Sequence, residues 1–115
     1  MDDERMAVFG PENGPGEALY EAVSRCACAL IDHWGPEDDM NFEQRNQLKV
    51  LEHWAYAIIM ANHGWGGPLT DAGLFNLLLA AEAVREIDPA LNSQLLIDCT
   101  SYHYARERGD LNVSK

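Results

Sequence analysis

From Pro15 onward the apolar positions return every third or fourth residue. Leu19, Ala22, Val23, Cys26, Leu30, His33 and Trp34 fall on one face of a helix, which Gly35 and Pro36 then stop. Asn41 opens a second helix, with Gln44 at the capping-box position and Leu48, Leu51, Ala55, Ile58 and Ile59 as its stripe. The second half of that helix, residues 55–61, is apolar all round, which predicts burial on more than one side. Asn62, His63 and Gly64 end it, and the glycine-rich stretch at 64–68 cannot continue it.

Thr70 or Asp71 caps a third helix carrying Leu74, Leu77, Leu78, Ala81 and Val84, with Phe75 and Leu79 beside them. It is the most apolar of the set, so the pattern places it at the centre of the fold. Asp88 and Pro89 act as stop and start together, since Asp is a good N-cap and Pro is tolerated at the first helical position. The fourth helix carries Leu91, Leu95, Cys99, Tyr102 and Arg106 on one face and closes at Gly109. The spacing thus predicts an all-α fold, a compact bundle of four helices over 15–34, 41–63, 71–87 and 89–108. Residues 1–14, which lack periodicity, form a flexible acidic arm ahead of a single helical domain at 15–115.

Charge sharpens this picture. The 115 residues carry 19 acids and 8 bases, a net charge of -11. Nucleic acid is bound mainly through Lys and Arg that neutralise phosphates, so this balance argues against direct nucleic-acid binding and against an anionic membrane surface. The apolar stretch at 55–61 is far shorter than the ~20 residues that span a bilayer, and the acidic N-terminus does not read as a secretory signal. The expectation is a cytoplasmic protein. Cys26, Cys28 and Cys99 are odd in number and fit reduced thiols, small hydrophobic groups in the core.

The acidity is uneven. Residues 1–43 hold 11 acids against Arg5 and Arg25, a net of -9, and the remainder of the chain nets -2. A field of one sign on one side attracts a basic surface and speeds encounter with it. Duplex DNA carries ~18 charges over ~30 Å, the length of a 20-residue helix, so nine net charges make a partial imitation of a duplex. The partner-binding set expected from this asymmetry is Glu17, Glu21, Asp32, Glu37, Asp38, Asp39 and Glu43. Trp65 is either a lid on the core, the commoner fate of so large an aromatic, or an exposed anchor belonging to the same set.

Catalytic and metal motifs are sparse. His33, His53, His63 and His103 are spread over different helices, and no His-Glu-x-x-His, Cys-x-x-Cys or Glu-x-x-His pattern occurs, so neither a metal nor a cofactor is expected. Ser24, Ser93, Ser101 and Ser114 stand in no Gly-x-Ser-x-Gly context, and the glycines at 64–67 are not followed by the Lys-Ser or Lys-Thr of a phosphate-binding loop.

In size, charge and the acidic stretch from Asp2 to Glu43, the chain resembles the small acidic inhibitors of mobile elements: anti-CRISPR proteins, DNA mimics and toxin-immunity proteins. That resemblance implies a phage-type, non-enzymatic protein that blocks a nuclease or a nucleic-acid-binding subunit by stoichiometric binding. Two alternatives come from other classes. One is a small helical metal-dependent enzyme or metal-binding protein using His33, His53 or His103. The other is a homodimeric structural protein, signalled by the apolar second and third helices.

Overall fold

The computed structural model describes residues 14–109 and 111, and among these there are helices and turns but no strand. Helix α1 spans Pro15–Trp34, and a 3-10 turn, Glu37–Asp39, leads into α2, Phe42–Asn62. Then come α3, Asp71–Ala80; the one-turn α4, Val84–Ile87; and α5, Pro89–Arg108. The fold is the all-α bundle that the periodicity predicts. The arm expected at 1–14 lies outside the described residues except for Gly14, the N-cap of α1.

The helix ends follow the capping chemistry closely. Asn41 Oδ1 accepts the Gln44 N–H at 2.8 Å while the Asn41 N–H donates to Gln44 Oε1 at 2.9 Å, a complete capping box. Thr70 Oγ1 accepts from the Gly73 N–H and Asp88 Oδ1 from the Leu91 N–H, and Gly109 ends α5 in the left-handed region at φ 74°.

The core corrects the expected hierarchy. Its centre is α1, whose Leu19, Val23, Cys26 and Leu30 are fully buried against α2, α4 and α5. The third helix lies at one side instead: its inner residues Leu74 and Leu77 are buried, but Phe75 is 62% exposed and Leu79 half exposed. Nor is that helix continuous over 71–87. It breaks at residues 81–83, where Glu82 N bonds to Leu79 O and Val84 N to Ala81 O, each three residues back. Tightening from four-residue to three-residue bonding advances the chain by ~20° more per residue. The extra rotation falls between Ala81, which still bonds four residues back to Leu77 O, and Val84, and both are fully buried.

Two further expectations fail for one reason, that a helix exposes whatever side its neighbours leave uncovered. Tyr56 is exposed although the surrounding sequence of α2 is apolar, because α1 and α3 cover α2 and leave its outer side open. His33, placed by periodicity on the inner face of α1, is exposed beside an open cleft where that helix ends. At the opposite end of α1 the approach to α2 is so close that a Cβ on Gly16 would collide with the Asn62 side chain, whose Nδ2 is itself buried without a partner.

Candidate functional site

The acids predicted to meet a partner divide into two groups. On α1, side chains turn by ~100° per residue, so Glu17, Glu21, Cys28 and Asp32 lie within ~60° of one another on the side away from the core. With ~1.5 Å of rise per residue, Glu17 and Asp32 stand ~22 Å apart along this ridge. The antiparallel packing of α1 on α2, shown by Gly16 against Asn62, puts Glu17 and Glu21 at the end where α2 finishes. It puts Asp32 at the end where α2 begins.

At this second end the chain builds a corner. Gly35 stops α1 at φ 89° with its N–H donating to Ile31 O at 2.8 Å, and Pro36 starts the 3-10 turn in extended conformation. Asp39 N bonds to Pro36 O at 2.8 Å and Met40 N to Glu37 O at 3.1 Å. Met40 is buried, 4% exposed, and pins the turn to the body of the protein, after which the Asn41–Gln44 capping box launches α2. Around this backbone Asp32, Glu37, Asp38, Asp39 and Glu43 are all exposed, and none of the five takes part in an ion pair among the described residues. Beside the corner lies an open cleft of about 490 Å³ lined by His33, Trp34, Gln47, Arg85 and two further carboxylates, Glu82 and Glu86.

The other group is compensated. Arg25 Nη2 stands 3.6 Å from Glu21 Oε1. Burial raises the Glu17 carboxyl above its ordinary range, Glu21 adds repulsion, and His63 partly offsets both. His63 leans toward Trp65, their ring centroids 6.4 Å apart. Trp65 is 66% exposed, so it is no lid on the core; Gly64 and Gly66, both at positive φ, carry it away from the body. The eight predicted residues therefore form an acidic corner of five and, at the far end of α1, a mixed cluster of Glu17, Glu21 and Trp65.

The histidines do not converge. His33 near the end of α1, His53 on α2 and His63 at the C-cap of α2 are all exposed, and among the described residues no three or more His, Cys, Asp or Glu side chains gather as metal ligands do. His103 has a partner: its Nδ1 donates to Asp71 Oδ1 at 2.8 Å, and the same oxygen accepts from Arg106 Nη2 at 2.7 Å. These bonds, Arg106 first, hold the Asp71 carboxyl below the usual carboxylate range. Arg106 Nη1 also donates to Leu69 O at 2.8 Å, while the Leu69 N–H donates to the buried Tyr102 hydroxyl at 3.0 Å. Both polar groups of the Leu69 backbone are thus held by α5, and with Asp71 they latch the loop that carries Trp65.

Periodicity placed Tyr102 and Arg106 on the inner face of α5 without showing this latch, because its other half is backbone. Among the cysteines, Cys26 and Cys99 are buried as expected, whereas Cys28 is exposed on the acidic ridge. Comparison with protein-family models, with curated proteins and with solved structures finds no match.

Proposed function

We propose that this chain is an acidic inhibitor that docks on the basic surface of a protein partner, a nuclease or a nucleic-acid-binding subunit, and blocks it by stoichiometric binding, without turnover or cofactor. The observation that carries the reading is the corner of Asp32, Glu37, Asp38, Asp39 and Glu43, five exposed carboxylates without ion-pair partners among the described residues, on a backbone fixed by Met40 and the capping box. Like charges held together repel in the free protein, and a basic surface that approaches relieves the repulsion. Such a field acts first on the rate of encounter and on the choice of partner.

Each exposed pair contributes only ~0.2–1 kcal/mol, so charge alone does not make a tight complex. Trp65 is an exposed aromatic of the kind that supplies the remainder at interfaces, and a cationic side chain can stack on its face. The distance along α1 separates Trp65 from the corner, so a partner that used both would span more than ~20 Å. The resemblance to anti-CRISPR and DNA-mimic proteins belongs to this proposal and implies the same kind of partner.

The test is capture of partners from the native host at low salt, followed by association kinetics with the purified partner. The expected result is a basic, nucleic-acid-binding protein whose association slows as salt rises past 0.1 M, where the Debye length is ~10 Å, and slows further on reversal of Glu37, Asp38 and Asp39 to Lys. Binding indifferent both to salt and to the triple reversal would replace the corner with an apolar interface.

A further inference from the structure

The cleft beside the acidic corner has a floor and a rim of different chemistry. Trp34, Ala83 and Ile87 are half-buried and packed against the core, and each also lines the cleft, so its floor is apolar. Around them His33, Glu82, Arg85 and Glu86 are exposed. Three parts of the chain meet here: the last turn of α1 brings His33 and Trp34, α2 brings Gln47, and the break in the third helix, with α4 beyond it, brings the rest. At about 490 Å³ the cleft falls within the ~300–1,000 Å³ typical of ligand pockets.

We infer that this cleft receives an arginine side chain of the basic partner. The inference rests on the docking proposed above and adds which side chain enters and where. Negative potential reaches the cleft from three sources. Glu82 and Glu86 line it. Helix α1, 20 residues long, ends beside it, and the C-terminus of such a helix acts as roughly -0.5 charge. The corner adjoins it, since Asp32 precedes His33 and Glu43 lies one turn before Gln47. Arg85 does not cancel this field. Its Nη2 stands 3.5 Å from Glu82 Oε2 with both side chains more than half exposed, and Glu86 has no ion pair among the described residues.

Carboxylates alone specify only a cation; the floor narrows the choice. An apolar floor under an acidic rim matches a side chain with an aliphatic stem and a charged head, which leaves lysine and arginine. Trp34 decides between them. A guanidinium is planar and weakly hydrated, stacks on an indole and bonds a carboxylate through two N–H groups, whereas an ammonium is a strongly hydrated point charge that gains less from either contact.

An NMR titration of the full chain with N-acetylarginine amide, followed at the Trp34 indole N–H, tests this without a partner. The expected result is saturable movement of that signal with a dissociation constant on the order of 1 mM, and weaker binding of N-acetyllysine amide at matched salt. Glu86→Gln, an exposed substitution whose folding is checked by circular dichroism, weakens the arginine amide by about two- to fivefold, the worth of one exposed ion pair. A Trp34 signal still unmoved at ~10 mM overturns the inference, as does a lysine amide bound as tightly as the arginine amide, or a dissociation constant indifferent to Glu86→Gln. Failure here is separable from failure of the inhibitor reading. A captured basic partner that binds Glu86→Gln as tightly as wild type removes the cleft and keeps that reading; a chain that binds the arginine amide and captures no basic protein keeps an arginine-selective cleft and removes the reading.

Discussion

Replacing Tyr102 by Phe removes one oxygen atom from the latch and leaves the ring in place. Tyr102 is 1% exposed, and its hydroxyl accepts the Leu69 N–H at 3.0 Å in a buried setting. The phenylalanine ring fills the same space, so no cavity term arises. What is left is a buried backbone donor without an acceptor, which costs ~1–3 kcal/mol. For a domain of this size that corresponds to a fall in Tm of roughly 4 °C or more per kcal/mol.

Arg106→Met removes the bond to Leu69 O from the other side of the same residue, together with the pair to Asp71. Because both side chains hold one backbone unit, the two losses are expected to couple: once either bond has gone, Leu69 can move and the second bond is worth less. Urea denaturation of wild type, both single variants and the double variant gives the cycle, with an interaction energy of ~0.5–3 kcal/mol expected for groups that share a partner. A Tyr102→Phe variant within ~0.5 kcal/mol of wild type would show that Leu69 is not held as described, and strict additivity in the cycle would remove the latch as a unit.

Three further outcomes follow from the geometry. Asp71 has a depressed folded carboxyl, so its contribution to stability is present above the unfolded value and is lost as pH falls through the folded one. Glu17 and Asp98, raised chiefly by burial, act in the reverse sense: they destabilise at neutral pH and are relieved as acidification protonates them in the folded protein. Stability against pH, measured for Asp71→Asn and for the pair Glu17→Gln and Asp98→Asn, separates the two limbs. Gly16→Ala forces the Asn62 side chain aside and lowers stability, and adding Asn62→Ala restores most of the loss; strict additivity of the two substitutions would refute the close approach. Burial pushes the Cys26 and Cys99 thiols up to about 11 and about 12, so a thiol reagent at neutral pH labels Cys28 alone in the folded chain and all three cysteines in urea.

The helix starts were legible in the sequence because they are local. Asn41 with Gln44 and Asp88 with Pro89 each settle a boundary within four residues, and of the two caps open for the third helix, Thr70 and Asp71, the structure takes Thr70. The hierarchy of the core was not, because it depends on which helix the others enclose. The leucines of α3 suggested a centre, but Phe75 and Leu79 face outward, and the less apolar α1 holds the middle through contacts to three elements. The candidate site was half legible for the same reason. That Asp32 and the acids at 37, 38, 39 and 43 share a corner follows from their nearness in the chain. The separation of Glu17, Glu21 and Trp65 from them depends on the length and direction of α1, and the latch at Leu69 joins residues more than thirty apart.

Met40 carries no charge and touches no partner in the proposed complex, yet it decides what the acidic corner is. Carboxylates on a loose chain behave as a polyelectrolyte: they drift apart, and a cation meets their average. The same carboxylates on a turn with one side chain sunk in the protein keep fixed mutual distances, and a basic surface is then judged on whether its own cations match those distances. Recognition by shape and recognition by charge become one property, set from inside. A small side chain at position 40 would alter no ionisable group and shift no isoelectric point, and it would turn a template into a brush.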